Sequence, residues 1–147
     1  MEKRILNIKY IVICFFATTL LFSQENATFL NATQNAKIVL LGEQSHFDGA
    51  TFDKKVELIK ELHEKQGFNL VVFESGMYDN YKAQQLYKAK QEDISVFNQS
   101  IFPMWTETKA FQELLDYITQ NPEMQLLGFD CQEFALFKEY FIEDVKQ

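Results

Sequence analysis

The chain has 147 residues, 47% of them hydrophobic and 15 of them Phe, which is enough for one domain with a packed core and too little for two. Its formal net charge is −7, and an acidic surface repels phosphate, so nucleic acid is excluded as a partner. The only cysteines are Cys14 and Cys131, and Cys14 falls in the leader predicted below, so no internal disulfide is expected.

The chain opens with Lys3, Arg4 and Lys9, followed by an apolar run from Tyr10 to Phe22 broken only by Thr18 and Thr19. A basic start and an apolar stretch too short to span a bilayer predict a signal peptide over 1–24, cut near Gln24. Export to the periplasm or the medium follows, with membrane contact only through this segment if it stays uncleaved. Residues 25–36 are small and polar and read as a linker, so the domain is expected over 37–147.

Lys37 to Leu41, KIVLL, is an apolar run of strand length without alternation, the pattern of a strand covered on both faces. Thr51 is placed to cap a helix running to Gln66, with Phe52, Val56, Ile59 and Leu62 on one face and Gly67 as its stop. Asn69 to Phe73, NLVVF, predicts a second strand, parallel to the first through a right-handed crossover. A helix over about 79–91 turns Tyr81, Leu86 and Tyr87 inward. Residues 94–105 give no clear period, and Pro103 argues against continuous helix. Thr106 opens a helix to Gln120 with Phe111, Leu114, Leu115 and Ile118 at i, i+3, i+4 and i+7. Gln125 to Phe129, QLLGF, predicts a third strand, and a last helix over about 133–146 carries Phe134, Phe137, Phe141 and Val145. The order predicts an α/β fold: a mostly parallel sheet of three strands flanked by helices. Its open sheet edges and the unpartnered stripe of the last helix point to the N-terminal part of a larger α/β fold.

Ligands of open parallel sheets bind beyond the carboxyl ends of the strands. Each predicted strand is followed there by an acid, Glu43, Glu74 and Asp130, and His46 lies three residues past the first. The four side chains are therefore expected to converge on one rim. A neutral imidazole accepts a proton from water near neutrality, and a neighbouring carboxylate fixes its tautomer. A second, desolvated carboxylate serves as a general acid. The same groups are also N and O donors for a divalent metal. Ser45 and Ser75 lie in no G-x-S-x-G elbow. His63 reads as a surface or boundary residue, Cys131 as a small buried thiol, and Trp105 as core.

With those residues in view, LLGEQSHFDGATFDKKVELIKELHEKQGFNLVVFESGMYD resembles the opening block of the erythromycin esterase family: a strand, G-E-x-x-H, a helix, then G-F and a strand ending in F-E. MWTETKAFQELLDYI and LLGFDCQ resemble later blocks, so the likeness covers about 37–135. The resemblance implies ester hydrolysis, in the best-known members of macrolide lactones, as in antibiotic inactivation. It implies His46 as the base that activates water and maps two family glutamates onto Glu43 and Glu74; the expected roles are Glu43 as support for the base and Glu74 as acid or water-positioning group. Where the family often carries arginine, this chain has Lys55, which keeps the charge without the bidentate fork. Lys55 and Asp130 are assigned to substrate binding. Family members are much longer and supply further histidines from their later parts. No cofactor is required by this scheme, and a divalent metal on Glu43, His46 and Glu74 stays open. The expectation is an exported esterase-like hydrolase of a small ester or lactone, present as a fragment. The alternatives are a non-catalytic metal- or ligand-binding remnant of that fold and a truncated chain without function.

Overall fold

The computed structural model describes residues 27–146. The predicted signal peptide lies outside the described residues. The chain divides at Leu41 and Gly42 into two units. In the first, residues 27–33 are helical, within the stretch expected to be a linker. The strand expected over 37–41 does not form: these residues have no regular structure, and Ile38 and Leu40 are 78% and 89% exposed. An apolar pentapeptide becomes a strand only when a neighbouring edge takes up its amides and carbonyls, and the described sheet has two strands, neither of them this one.

The second unit runs α1 (Gly49–Gln66), β1 (Leu70–Gly76), α2 (Met77–Lys88), a 3-10 turn (Ile94–Gln99), the short α3 (Pro103–Thr106), α4 (Lys109–Gln120), β2 (Gln125–Asp130) and α5 (Ala135–Val145). It is a mixed α/β arrangement in which β1 and β2 pair in parallel, with Leu70 opposite Gln125 and Phe73 opposite Gly128. Among the described residues no helix is long and apolar enough to cross a membrane.

Asp48, not Thr51, caps α1: its Oδ1 accepts from the Thr51 amide at 3.2 Å and its Oδ2 from the Thr51 hydroxyl at 2.6 Å. These bonds, with that of the hydroxyl foremost, hold the Asp48 carboxyl below its ordinary value. Gly67 closes the helix at φ 75°, a left-handed position that favours glycine, and its amide returns to the His63 carbonyl at 3.0 Å. The cap of α4 lies two residues later than expected, because Thr108 rather than Thr106 caps it through the Phe111 amide. Its predicted stripe forms the centre of the core: Phe111, Leu114, Leu115 and Ile118 are all buried, with Phe73, Val96, Phe97, Ile101 and Leu126 around them. Complete burial of each such side chain is worth about 1.5–3 kcal/mol.

The two strands alternate and are not covered on both faces. Phe73 and Leu126 are buried, whereas Leu70 and Val72 are 47% and 45% exposed. The α2 face also differs from expectation: Tyr81 is exposed, and Gln84 turns inward so that its Oε1 accepts from the Leu126 amide at 3.0 Å. Gly128 is required by the close approach of the two strands: a Cβ there would lie within 2.6 Å of both the Ser75 and the Gly76 carbonyl oxygens.

A buried polar layer closes the carboxyl end of β1. Asp79 is fully buried at the start of α2, and its two oxygens accept from the backbone amides of Phe134 (3.1 Å) and Phe137 (2.8 Å). No side chain of its own segment caps α5, so Asp79 does this from another helix, as an acid at a helix N-terminus should. Asn80 donates to the carbonyls of Gly76 and Ser100, and Ser75 to Ser100, which ties the 3-10 turn to the strand end. On the outer side, Tyr78 and Lys82 both bond Asp144 and hold α5 onto α2. The stripe expected on α5 is only half-buried at Phe134, Phe137 and Phe141, and Val145 is exposed.

Candidate active site

The segment from Gly42 to Asp48 carries Glu43 and His46 up to the start of α1, without helix or strand backbone. Lys55 lies in the second turn of α1. The Glu43 side chain is 12% exposed, that of Lys55 16%, and that of His46 50%. One Glu43 oxygen meets His46 Nδ1 at 2.5 Å, and the other takes a hydrogen bond and ion pair from Lys55 Nζ. Glu43 therefore bridges an imidazole and an ammonium.

Burial alone would push the Glu43 carboxyl up. The hydrogen bonds and charges of Lys55 and His46 together outweigh it, and the group lies below its ordinary value. An ionised Glu43 is acceptor-only, so the 2.5 Å contact needs the hydrogen on His46 Nδ1. In the neutral ring that tautomer leaves Nε2 bare, with a lone pair to accept a proton.

Trp105 is an aromatic neighbour of the ring. It is 7% exposed, lies in α3, and packs on Phe73 and Phe102 with ring centroids 5.8 and 5.9 Å away. Its own ring meets that of His46 at 5.9 Å and 79°, edge to face. The expectation of Trp105 as core is met, but its second contact with the candidate base carries no signal in the sequence.

The convergence of four side chains does not appear. Glu74 lies on β1 and is exposed, with no hydrogen bond or ion pair to Glu43, His46 or Lys55. Asp130 turns back on its own loop, accepting from the Cys131 amide and the Gln132 side chain, each at 2.7 Å. Among the described residues no three His, Cys, Asp or Glu gather closely enough to hold a metal, so Glu43, His46 and Glu74 form no ligand set. Glu43 and His46 are instead carried by the irregular segment before α1. Lys55, expected to bind substrate, is instead engaged by Glu43. The twelve-residue separation hid this, because the contact depends on where α1 begins.

The other two titratable residues considered have structural or open settings. His63 bonds the Tyr117 hydroxyl at 2.7 Å through Nδ1 and Glu123 at 2.9 Å through Nε2, joining α1 to α4 and the turn beyond it. Burial, and then the hydrogen bond to Glu64, push the Tyr117 hydroxyl up to about 12. Cys131, expected to be buried, is exposed and free.

The chain is 36% identical over 115 residues to the Bacillus subtilis (strain 168) protein "Putative hydrolase YbfO". The match takes in 75% of this chain and 25% of that protein, so the chain spans about a quarter of the length of the curated relative it matches. No family model matches the chain, and no solved structure matches it significantly.

Proposed function

We propose that this chain carries the general-base half of an ester or lactone hydrolase of the erythromycin esterase type. The observation that supports it is the bridge made by Glu43, which holds His46 by Nδ1 and is itself held by Lys55. The word hydrolase in the name of the similar Bacillus protein agrees with it.

In this reading a water molecule sits against His46 Nε2, on the half-exposed side of the ring. The imidazole takes its proton as the oxygen attacks the ester carbonyl. The resulting imidazolium is stabilised by the ionised Glu43 beside it, and no covalent enzyme intermediate forms. Lys55 keeps Glu43 ionised and fixed in place rather than binding substrate. The imidazolium then gives its proton to the leaving alkoxide as the ester C–O bond breaks; Glu74 as water-positioning group and Asp130 as a substrate-facing carboxylate act only after approaching the bridge. Export through residues 1–24 belongs to the same proposal and is checked by N-terminal sequencing of the secreted product.

The test is hydrolysis of a panel of aryl esters and macrocyclic lactones by the purified chain and by a full-length relative carrying the same motif. His46→Gln is expected to lower kcat/KM by about 100-fold or more, the usual contribution of a positioned base. Retained turnover in that variant, or no turnover of any panel member by the unaltered proteins, would overturn the proposal.

A further inference from the structure

The Glu43 contact fixes only one point of the His46 ring. The segment that carries the ring is bare of regular backbone. Its local ties are long: the Asp48 amide to the Ser45 carbonyl at 3.3 Å, and the Phe47 amide to the Ser45 hydroxyl at 3.4 Å. A half-exposed imidazole held by one nitrogen on such a loop can swing about its Cβ–Cγ bond. A partial turn tilts the ring plane, carries Nδ1 out of line with the carboxylate oxygen and breaks the contact with Glu43.

What opposes the swing is a rigid neighbour. Trp105 is 7% exposed and wedged between Phe73 and Phe102. Its backbone is pinned as well: its amide donates to the Phe102 carbonyl at 3.0 Å, and its carbonyl accepts from the Thr108 hydroxyl at 2.6 Å. This anchored indole meets the imidazole edge to face at 5.9 Å. Aromatic pairs favour that geometry over a face-to-face sandwich.

We propose that Trp105 is a positioning residue for His46: by its edge-to-face contact it holds the imidazole plane so that Nδ1 stays on Glu43 and Nε2 stays turned to solvent. The charged groups facing this ring are Glu43 from its own loop and, through Glu43, Lys55 from α1. The role rests on the reading of His46 as a proton acceptor. Its test reads ring orientation, so a chain that hydrolyses nothing leaves the test standing.

The test uses the whole chain labelled with 15N-histidine, with His63→Gln to assign the two imidazoles. The unaltered protein is expected to show a protonated Nδ1 and a bare Nε2 at His46. Trp105→Leu is expected to raise the population with the ring off Glu43 about two- to tenfold, the range that one aromatic pair supports. Trp105→Phe is expected to restore most of the original signature. Because Trp105 is the single tryptophan of the sequence, its emission reports the same contact. His46→Gln removes the imidazole from beside the indole and is expected to change the intensity and wavelength of that emission at a fixed pH. An unchanged His46 signature in folded Trp105→Leu, or an unchanged emission profile in His46→Gln, would overturn the proposal. If Trp105→Leu does not fold, the emission comparison decides, because replacing half-exposed His46 leaves the core intact.

Discussion

Glu43→Gln removes one charge and leaves the shape of the bridge. In the folded protein Glu43 accepts from both His46 and Lys55 while its side chain is 12% exposed, so the screening that weakens surface ion pairs is reduced. Hydrogen bonds to charged groups are each worth about 1.5–3 kcal/mol before the cost of desolvating the carboxylate, which is the largest opposing effect here. The net expectation is a loss of about 2 kcal/mol at neutral pH, roughly a thirtyfold shift in the unfolding equilibrium. The sign of its pH dependence follows from the lowered folded value. A carboxyl that ionises more readily when folded contributes its stability above its unfolded value of 4.5, and loses it as the pH falls through the lower folded one. Urea denaturation of both proteins at about pH 7 and about pH 3 measures the difference. The gap between them should be full at the first pH and smaller at the second. A gap of equal size at both pH values would mean that the charge of Glu43 is not what holds this corner together.

Two further substitutions test the scaffold. Asp79→Ala leaves the amides of Phe134 and Phe137 without their acceptor and should cost about 2–4 kcal/mol in denaturant unfolding, with faster hydrogen exchange confined to the start of α5. Gly128→Ala drives a Cβ into two backbone carbonyls and should prevent folding or cost more than about 3 kcal/mol, whereas Gly49→Ala, with nothing within 4 Å, should change thermal stability by less than about 0.5 kcal/mol.

Helices were legible in the sequence because a helix is a local object. The stripe of Phe111, Leu114, Leu115 and Ile118 declares its buried face through its spacing alone, and all four are in the core. Helix starts slipped by two or three residues where two capping residues compete, Asp48 with Thr51 and Thr108 with Thr106. Strands depend on a partner that periodicity cannot supply. NLVVF and QLLGF found each other, while KIVLL, similar in composition, pairs with no strand in the described sheet. The inward turn of Gln84 and the outward turn of Tyr81 answer to one amide, that of Leu126, which no pattern on α2 announces.

The candidate site divides in the same way. Glu43 and His46 are three residues apart, so their contact was legible from spacing. The contact of Glu43 with Lys55 depends on the start of α1, and that of His46 with Trp105 on the packing of α3 against β1. Both partners lie beyond the reach of local pattern. The rim shared with Glu74 and Asp130 was inferred from the ends of three strands, and one of those strands, over 37–41, does not form.

The central claim is that Glu43 and His46 act as one unit in removing a proton from water. The kcat/KM values of His46→Gln, Glu43→Gln and the double variant on one ester test it most directly. Residues that work only together lose their function only once, so the double variant should be no slower than His46→Gln alone, within about a factor of two. Losses that multiply, with the double variant slower by the product of the two single effects, would contradict the account.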